Sequence, residues 1–383
     1  MRVGIFTNNY LPVRGGVTTA VETLSEGLKA RGRRVWIFAP RFPGPSADPP
    51  EIVRVPSLPA FTYPEFSLAI PWSRRLARTV DELDLEIFHA QHPFLLGRTA
   101  ERLARRRGRP LVFTYHTHYE KYAHYVPLPQ RLVERLAVSW SARFANRSDL
   151  VIAPSNAVRA ELRRRGVARP IEVVPTGIPL HRFAPGDRAR ARAVLRLSPT
   201  DPILLYVGRL DREKSVELLL DAFLLVADTL PHARFLLVGQ GTQREKLRTR
   251  ARASPAGARV SFLDVQPRDI LPEYYRAADL FWFASQTETQ GLVLAEAHAC
   301  GLPAVAVRAP GVEEVVSDGE TGLLVKPDAE ALAEAAVGLL LDPGRREAMG
   351  DRAREVASRQ FDADRQVGRI AALYAKLLRR FAS

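Results

Sequence analysis

Short apolar runs alternate with amphipathic segments along the first half of the chain. The first run, Val3–Thr7, ends in a glycine turn, and Val21, Leu24 and Leu28 then recur at helical spacing within Thr18–Ala30. Because strands that alternate with helices need crossover connections, this pattern predicts a parallel, doubly wound sheet. The expected strands are Val3–Thr7, Arg34–Ala39, Ile87–Ala90, Leu111–Tyr115, Leu150–Ala153 and Ile171–Val174.

A break with two prolines and a glycine follows at 174–179, and the alternation then starts again. A chain of 383 residues exceeds what one hydrophobic core usually supports, so two α/β domains are expected. Ligands bind at the carboxyl ends of the strands in such sheets. The strands expected in the second half are Ile203–Val207, Phe235–Val238, Val260–Leu263, Leu280–Ala284, Ala304–Val307 and Gly322–Val325.

Positive charge is concentrated in the first half. Residues 1–180 contain 27 Lys and Arg against 15 Asp and Glu, a net charge of +12, whereas the rest of the chain contains 29 against 27. This excess indicates an anionic partner, either nucleic acid or an anionic membrane, although an arginine-rich genome produces the same bias. The sequence has no recognition-helix, zinc-knuckle or RNA-binding aromatic motif, so we expect no nucleic-acid partner.

The cysteine content and the apolar runs indicate the compartment. The single cysteine, Cys300, suits a reducing cytosol. No apolar run approaches the roughly 18 residues that a membrane span needs, and the amino terminus lacks a signal-peptide pattern. We therefore expect a cytoplasmic protein.

Two features of the second half could bind an anionic ligand. Arg209 and Lys214 follow the strand Ile203–Val207, where both side chains could grip a diphosphate. Glu288 and Glu296 flank the start of a predicted helix, whose amino terminus attracts anions and whose carboxylates could accept bonds from hydroxyl groups. Paired carboxylates also occur in glycosidases, but the cationic loop favours a phosphate-bearing ligand.

The first half contains a glycine turn and a cluster of histidines and tyrosines. Gly15 and Gly16 would let the backbone approach an anion at a helix amino terminus, as would a plain tight turn. His116 and His118 follow a predicted strand on one face, a spacing that a metal could use. No cysteine or acidic cluster is evident near them, so we expect ligand contacts and no metal site.

Together these residues resemble the retaining GT-B glycosyltransferases, a group that includes phosphatidylinositol mannosyltransferases, sucrose synthases and bacterial diacylglycerol glucosyltransferases. The resemblance covers nearly the whole chain, in the same order. It implies two Rossmann-like domains facing a cleft: an acceptor-facing domain at 1–175 and a nucleotide-sugar domain at 176–361, with a C-terminal helix of about 362–383 packing back on the first. The motifs that carry it are the glycine turn, Tyr115-His116-Thr117, Gly208-Arg209 with Lys214, and the two glutamates 288 and 296.

The resemblance also implies roles for the site residues. Arg209 and Lys214 would neutralise the donor diphosphate in place of a metal, so no cofactor is expected. Glu288 would contact the donor sugar, and His116 would stabilise charge developing at the anomeric carbon. Further donor contacts implied are Gly15, Gly16, Val265, Gly291, Leu292 and Glu296, and the candidate acceptor contacts are Asn9, His118, Tyr119, Tyr122 and His124.

The segments 287–292 and 116–125 are most similar to the diacylglycerol glucosyltransferases. This implies transfer from UDP-glucose or a related UDP-hexose to diacylglycerol or a glycosyl-diacylglycerol, at the inner face of the cell membrane. The alternative is transfer from a UDP- or GDP-sugar to a soluble or phosphatidylinositol-like acceptor. The apolar and basic helix around 131–147 could lie on an anionic membrane, or could face the core and solvent as an ordinary helix.

Two positions depart from the family pattern. Ser215 stands where relatives usually have glycine, and this difference predicts a slightly shifted loop after Lys214. Asn8 and Asn9 stand where many relatives have an acidic or hydroxyl residue, which affects the acceptor side.

Overall fold

A computed structural model describes residues 1–42, 48–59, 67–70, 74–125 and 129–382. The chain forms two compact units, one of Met1–Gly177 with Ala363–Ser383 and one of Ile178–Asp362. The bounds expected from the sequence, 175 and 361, lie within two residues of these divisions. No helix in the described part of the chain has the length and apolarity to cross a membrane.

The first unit is built on a seven-stranded parallel sheet in the order β3-β2-β1-β6-β7-β8-β9. All six strands expected in this half are present. Their central members are buried on both faces and are apolar throughout, apart from His89 in β6 and Thr114 in β7. The strands are β1 (Arg2–Phe6), β2 (Arg34–Pro40), β3 (Ile52–Val55), β6 (Ile87–Ala90), β7 (Leu111–Thr114), β8 (Leu150–Ala153) and β9 (Ile171–Val173).

Three short strands of this unit were not expected. β3 is an edge strand with one buried residue, Val55, and β4 (Ser57–Pro59) pairs with β5 (Ser67–Ala69) as a separate antiparallel ribbon. Strands this short with little burial carry no clear period in sequence.

Helices cover both faces of the first sheet. One face packs against α1 and α14, and the other against α2 to α5. The last helix thus completes the core of the unit that contains the first strand. The helices are α1 (Gly16–Ala30), α2 (Arg74–Leu83), α3 (Leu96–Arg106), α4 (Gln130–Arg147), α5 (Asn156–Arg164) and α14 (Ala363–Ala382), with a 3₁₀ segment at Tyr119–Tyr125.

The second unit contains a six-stranded parallel sheet in the order β12-β11-β10-β13-β14-β15. All six strands were expected. They are β10 (Ile203–Val207), β11 (Arg234–Val238), β12 (Val260–Leu263), β13 (Leu280–Phe283), β14 (Ala304–Val307) and β15 (Gly322–Val325). The helices are α6 (Arg188–Val194), α7 (Val216–Thr229), α8 (Arg244–Arg252), α9 (Leu271–Ala277), α10 (Leu292–Ala299), α11 (Pro310–Glu313), α12 (Ala329–Leu341) and α13 (Pro343–Gln360).

Each sheet has one point where the strand order reverses. In the first unit this point lies between β1 and β6, and in the second between β10 and β13. Loops leave neighbouring strands in opposite directions there and open a crevice at the carboxyl edge of the sheet. The fold therefore predicts a ligand site in each unit at these loops.

Candidate active site

The loop after β10 rests directly on the loop after β11. A Cβ atom on Gly239 would lie 1.9 Å from the carbonyl oxygen of Gly208, so only glycine permits this approach. The N–H of Leu210 donates to the carbonyl of Gln240 at 2.8 Å, and Asp211 accepts from the N–H of Thr242 at 2.7 Å. Gly239 therefore serves the packing of these two loops.

Arg209 is oriented by two buried acids on the same loop. Its guanidinium donates to Asp211 at 2.6 Å and to Glu213 at 2.5 Å, while the hydroxyl of buried Tyr206 donates to its carbonyl at 2.8 Å. The sequence predicted Arg209 as a cation of the site, but it did not predict the contacts with Asp211 and Glu213. Glu213 could have been found from its position four residues after Arg209, a spacing at which side chains meet on a helical turn.

Lys214 and Glu288 join the two loops of the reversal point. The Lys214 ammonium lies 2.5 Å from a Glu288 carboxylate oxygen, and both side chains are largely buried. Burial alone would raise the pKa of Glu288, but the Lys214 charge and hydrogen bond outweigh it and hold the pKa below its ordinary value. The structure thus brings together Lys214, Glu288 and Arg209, whose charge also lowers the Glu288 pKa.

Ser215 takes a backbone conformation that favours glycine, the residue expected at this position from the family resemblance. Its φ of 51° lies in the left-handed region, which costs a non-glycine residue about 1–2 kcal/mol. The serine accepts this conformation between the 3₁₀ turn Arg212–Lys214 and α7.

The amino terminus of α10 lies beside Glu288. Gly291 precedes the helix with φ 78°, again in the left-handed region. A Cβ atom on Gly311 would lie 2.1 Å from the Glu288 carbonyl oxygen, so α11 packs closely against the same loop. Leu292 is the first helical residue, so Glu288 and Glu296 flank the start of the helix as the sequence predicts.

Glu296 lies one turn further along α10 and is buried. The hydroxyl of Tyr275 donates to its carboxyl at 2.7 Å. Burial raises the pKa of Glu296 to about 7, and the Tyr275 hydrogen bond and the Arg268 charge only partly oppose this. Val265 follows β12 with 48% of its surface exposed, at the same edge of the sheet.

In the first unit, the loops after β1 and β6 meet at the reversal point. Asn8 donates its backbone N–H to His92 Nδ1 at 3.1 Å, and its side-chain oxygen accepts the N–H of Leu96, the first residue of α3, also at 3.1 Å. Asn8 therefore joins the two loops. Asn9 Oδ1 is buried without a hydrogen-bond partner among the described residues. Gly15 and Gly16 stand at the start of α1 on the same loop.

His116 is held by a residue that the sequence analysis missed. Its Nε2 lies 2.6 Å from Oε1 of Gln91, which directly follows β6. Burial lowers the pKa of His116 to about 3, with smaller contributions from His92 and His89, so the ring is neutral. A polar residue at the carboxyl end of a predicted strand was the available signal for Gln91.

His118 belongs to a different cluster from His116. Its Nδ1 lies 3.3 Å from Glu161 and 3.6 Å from Glu120, and Arg165 pairs with both carboxylates. The expectation that no acidic cluster lies near His118 is therefore wrong, because α5 contributes Glu161. Hydrogen bonds from His118 and Arg165 outweigh burial and lower the pKa of Glu120 to about 2. One His and two Glu could hold a metal ion, and Arg165 supplies one positive charge against the two carboxylates.

The remaining acceptor candidates lie on the 3₁₀ segment. Tyr119 packs edge-on against Phe94, with ring centroids 5.2 Å apart, and its hydroxyl has no partner in the described part of the unit. Tyr122 is partly buried on the same segment. The side chain of His124 lies outside the described residues.

Comparisons with known proteins identify the family of the chain. A model of the group 1 glycosyl transferases matches residues 187–356, and a model of glycosyltransferase family 4 matches residues 14–182. The chain is 29% identical to alpha-monoglucosyldiacylglycerol synthase of Streptococcus pneumoniae, over 94% of this chain and 83% of that protein. It is 31% identical to a GDP-mannose-dependent alpha-(1-6)-phosphatidylinositol monomannoside mannosyltransferase of Mycolicibacterium smegmatis, over 94% and 93%.

Solved structures show the same architecture. A sucrose-phosphate synthase from Thermosynechococcus elongatus superposes with a TM-score of 0.85 at 27% identity, covering 99% of both chains. The two parallel-sheet units match this architecture. The chain therefore belongs to the group 1 glycosyltransferases of the GT-B fold.

Proposed function

We propose that this enzyme transfers a hexosyl unit, with retention of anomeric configuration, from UDP-glucose or a related UDP-hexose to diacylglycerol or a glycosyl-diacylglycerol. The contact of Lys214 with Glu288 beside Arg209 is the observation that carries the proposal. It places two cations and a carboxylate at the point where an open parallel sheet binds ligands.

The charges of these residues suit a nucleotide diphosphate leaving group. Arg209 and Lys214 would stabilise the negative charge that develops on the diphosphate, at positions already fixed by Asp211, Glu213 and Glu288. Glu288 would accept hydrogen bonds from the sugar, and Glu296 from the ribose. The two cations would supply the positive charge that a metal ion supplies in metal-dependent enzymes. We therefore expect transfer to continue when EDTA removes divalent metal ions.

Retention would follow from attack on the face that the leaving group vacates. The acceptor hydroxyl would give its proton to the departing diphosphate as its oxygen bonds to the anomeric carbon. His116 stays uncharged at neutral pH because its pKa is about 3, so it would act near the sugar as a neutral hydrogen-bonding group.

The exposed face of α4 supports a lipid acceptor. Leu132 and Trp140 are 50% and 52% exposed, and Leu136 lies between them on the same stripe. Phe144, one turn beyond Trp140, is instead buried in the core and cannot contact a membrane. An exposed apolar stripe flanked by Arg131 and Arg135 fits a helix lying at an anionic membrane surface.

The named relatives also support a lipid acceptor and supply the alternative. The pneumococcal relative is named as a glucosyldiacylglycerol synthase, whereas the mycobacterial one uses GDP-mannose and a phosphatidylinositol mannoside. Transfer from a UDP- or GDP-sugar to a phosphatidylinositol-like or soluble acceptor is therefore the second candidate. With a lipid acceptor of either kind, the enzyme would act in the cytoplasm at the inner face of the membrane.

A donor and acceptor panel tests the proposal. UDP-glucose, UDP-galactose, UDP-N-acetylglucosamine and GDP-mannose are each incubated with diacylglycerol, glucosyl-diacylglycerol or phosphatidylinositol in mixed vesicles. We expect an α-linked glycolipid from a UDP-hexose and a diacylglycerol acceptor, with the linkage read by NMR and the same rate in EDTA. A β-linked product would contradict retention, and a strict metal requirement would contradict charge stabilisation by Arg209 and Lys214 alone. Transfer only to phosphatidylinositol or water would contradict the diacylglycerol acceptor.

A further inference from the structure

Four polar side chains form two hydrogen-bonded pairs on neighbouring strands of the first unit. His89 and Gln91 are two residues apart on β6 and its end, and Thr114 and His116 are two apart on β7 and its end. Residues two apart on a strand share a face. The pairs are therefore stacked along the strands, with His89–Thr114 below and Gln91–His116 at the carboxyl edge.

The lower pair is anchored by the C-terminal helix. His89 Nε2 lies 2.7 Å from the Thr114 hydroxyl, and His89 Nδ1 lies 2.6 Å from the Tyr374 hydroxyl. All three side chains are buried. Because both ring nitrogens of His89 are bonded, its ring has one fixed orientation.

The upper pair determines where His116 carries its proton. Gln91 is 2% exposed, and its Oε1 faces His116 Nε2 at 2.6 Å. An amide oxygen only accepts hydrogen bonds, so with the Gln91 amide in this orientation Nε2 is the donor. A neutral imidazole has a single N–H, so Nδ1 is then an acceptor.

We propose that Gln91 is a positioning residue for the transfer reaction: its side-chain carbonyl fixes the proton of His116 on Nε2, and the Tyr374–His89–Thr114 hydrogen bonds hold the strands that carry both residues. The inference rests on the proposed role of His116 at the donor sugar. It gives α14 a part in the site, since Tyr374 anchors the lower pair.

The opposite amide orientation gives a distinguishable state. If the Gln91 amide were turned over, its NH₂ would donate to Nε2 and the ring proton would move to Nδ1. The Gln91 NH₂ has no hydrogen-bond partner among the described residues, so both orientations leave one amide atom unbonded and hydrogen-bond count alone does not favour either. The ring tautomer is therefore the direct test.

Nitrogen NMR of the whole protein measures that tautomer. With ¹⁵N-labelled histidine, and the His116 signals assigned by their loss in His116→Asn, we expect a protonated Nε2 and an unprotonated Nδ1. A ring protonated on Nδ1 would overturn the inference. The spectrum needs no turnover, so failure of the proposed function, seen as no transfer from any donor, is a separate result.

Gln91→Met removes the acceptor with little change in volume, and Gln91→Glu keeps it. We expect Gln91→Met to lose the fixed tautomer and to lower kcat by roughly 10- to 100-fold, the effect of removing groups that orient metal-binding histidines, with a much smaller change in donor KM. Gln91→Glu should keep Nε2 protonated and retain more activity than Gln91→Met.

Ser148→Ala is the matched control, because it also removes a buried hydrogen-bonding side chain from this unit. It should leave the His116 spectrum and kcat unchanged. An unaltered tautomer or an unaltered kcat in a folded Gln91→Met protein would overturn the positioning role. If Gln91→Met does not fold, the unaltered protein and Gln91→Glu decide the question.

Discussion

At the scale of single residues, Lys214 and Glu288 depend on each other. Replacing Lys214 by Met leaves a largely buried carboxylate without its cation, and replacing Glu288 by Gln removes the proposed sugar contact. We expect each change to lower kcat by at least about 100-fold, the usual effect of losing one group that stabilises transition-state charge. Steady-state kinetics with saturating acceptor measures this.

Lys246→Met provides the control for that prediction. Lys246 forms an ion pair with Glu217 at 2.7 Å on the exposed surface of the same unit. Such pairs contribute about 0–1 kcal/mol to stability, so activity should not change. Near-normal turnover in both Lys214→Met and Glu288→Gln would show that neither residue takes part in the transfer reaction.

Glu296 predicts a pH dependence of stability. Its pKa of about 7 in the folded chain exceeds the ordinary 4.5, so the folded state binds the proton more tightly than the unfolded state. The contribution of protonated Glu296 to the free energy of unfolding is therefore fully present below about pH 4.5. It is lost as the pH rises to about 7. The loss amounts to about 3 kcal/mol at most.

Glu296→Gln should lack this loss, since an amide does not ionise and still accepts from Tyr275. The unfolding free energy of the variant relative to the unaltered protein should therefore rise between pH 5 and pH 8 in denaturant titrations. A difference that stays constant across this range would show that Glu296 titrates normally.

The proximity of Arg209, Lys214 and Glu288 was predictable, because these residues follow strands that the apolar runs define well. The hydrogen-bond partners of the site residues were not predictable. Asp211 and Tyr275 meet their partners through the turn after β10 and the packing of α9 on the sheet, which have no signature in spacing. Gln91 was missed because its role depends on a neighbouring strand.

At the scale of secondary structure, α4 has two different halves. Leu132, Leu136 and Trp140 are exposed along its amino-terminal part, whereas Phe144 and Ala145 are buried. Its length was predicted closely, but periodicity alone does not tell which apolar residues face the core. The ribbon β4–β5 shows the same limit, since its pairing depends on contacts outside either strand.

We predict that Arg135→Gln with Arg143→Gln weakens binding to anionic vesicles. Each arginine near such a surface contributes about 1 kcal/mol, so the double variant should bind about 30-fold more weakly. Flotation with anionic and neutral vesicles measures the effect, which should be absent with neutral lipid. The matched control is Arg248→Gln with Arg250→Gln, on α8 of the second unit. Equal binding by the unaltered protein and both double variants would show that α4 does not contact the vesicle surface.

At the scale of the whole molecule, charge follows the division into units. The first unit contains 32 Lys and Arg against 16 Asp and Glu, and the second 24 against 26, giving net charges of +16 and −2. The difference in net charge is larger between the two units than between the two halves of the chain, because the basic residues of α14 belong to the first unit. Any electrostatic attraction to an anionic surface therefore originates in the unit that contains α4.

The contact between α1 and α14 joins distant parts of the chain. A Cβ atom on Gly27 would lie 2.9 Å from Val367 of α14. Gly27→Ala should therefore destabilise the protein, although alanine is favoured over glycine within a helix by about 1 kcal/mol. Val367→Ala relieves the clash, so Gly27→Ala should become stabilising in that background. A double-mutant cycle by thermal unfolding checks this, and additive effects would contradict the contact.

The return of α14 to the first sheet has a consequence for biosynthesis. Domains generally fold in the order in which they leave the ribosome. Here Tyr374 and Leu377, which complete the core beside β1, are translated only after the whole second unit. The second unit can thus acquire its fold first, while one face of the first sheet is covered only by α1. The apolar surface that stays exposed during this period is a binding site for a nascent-chain chaperone.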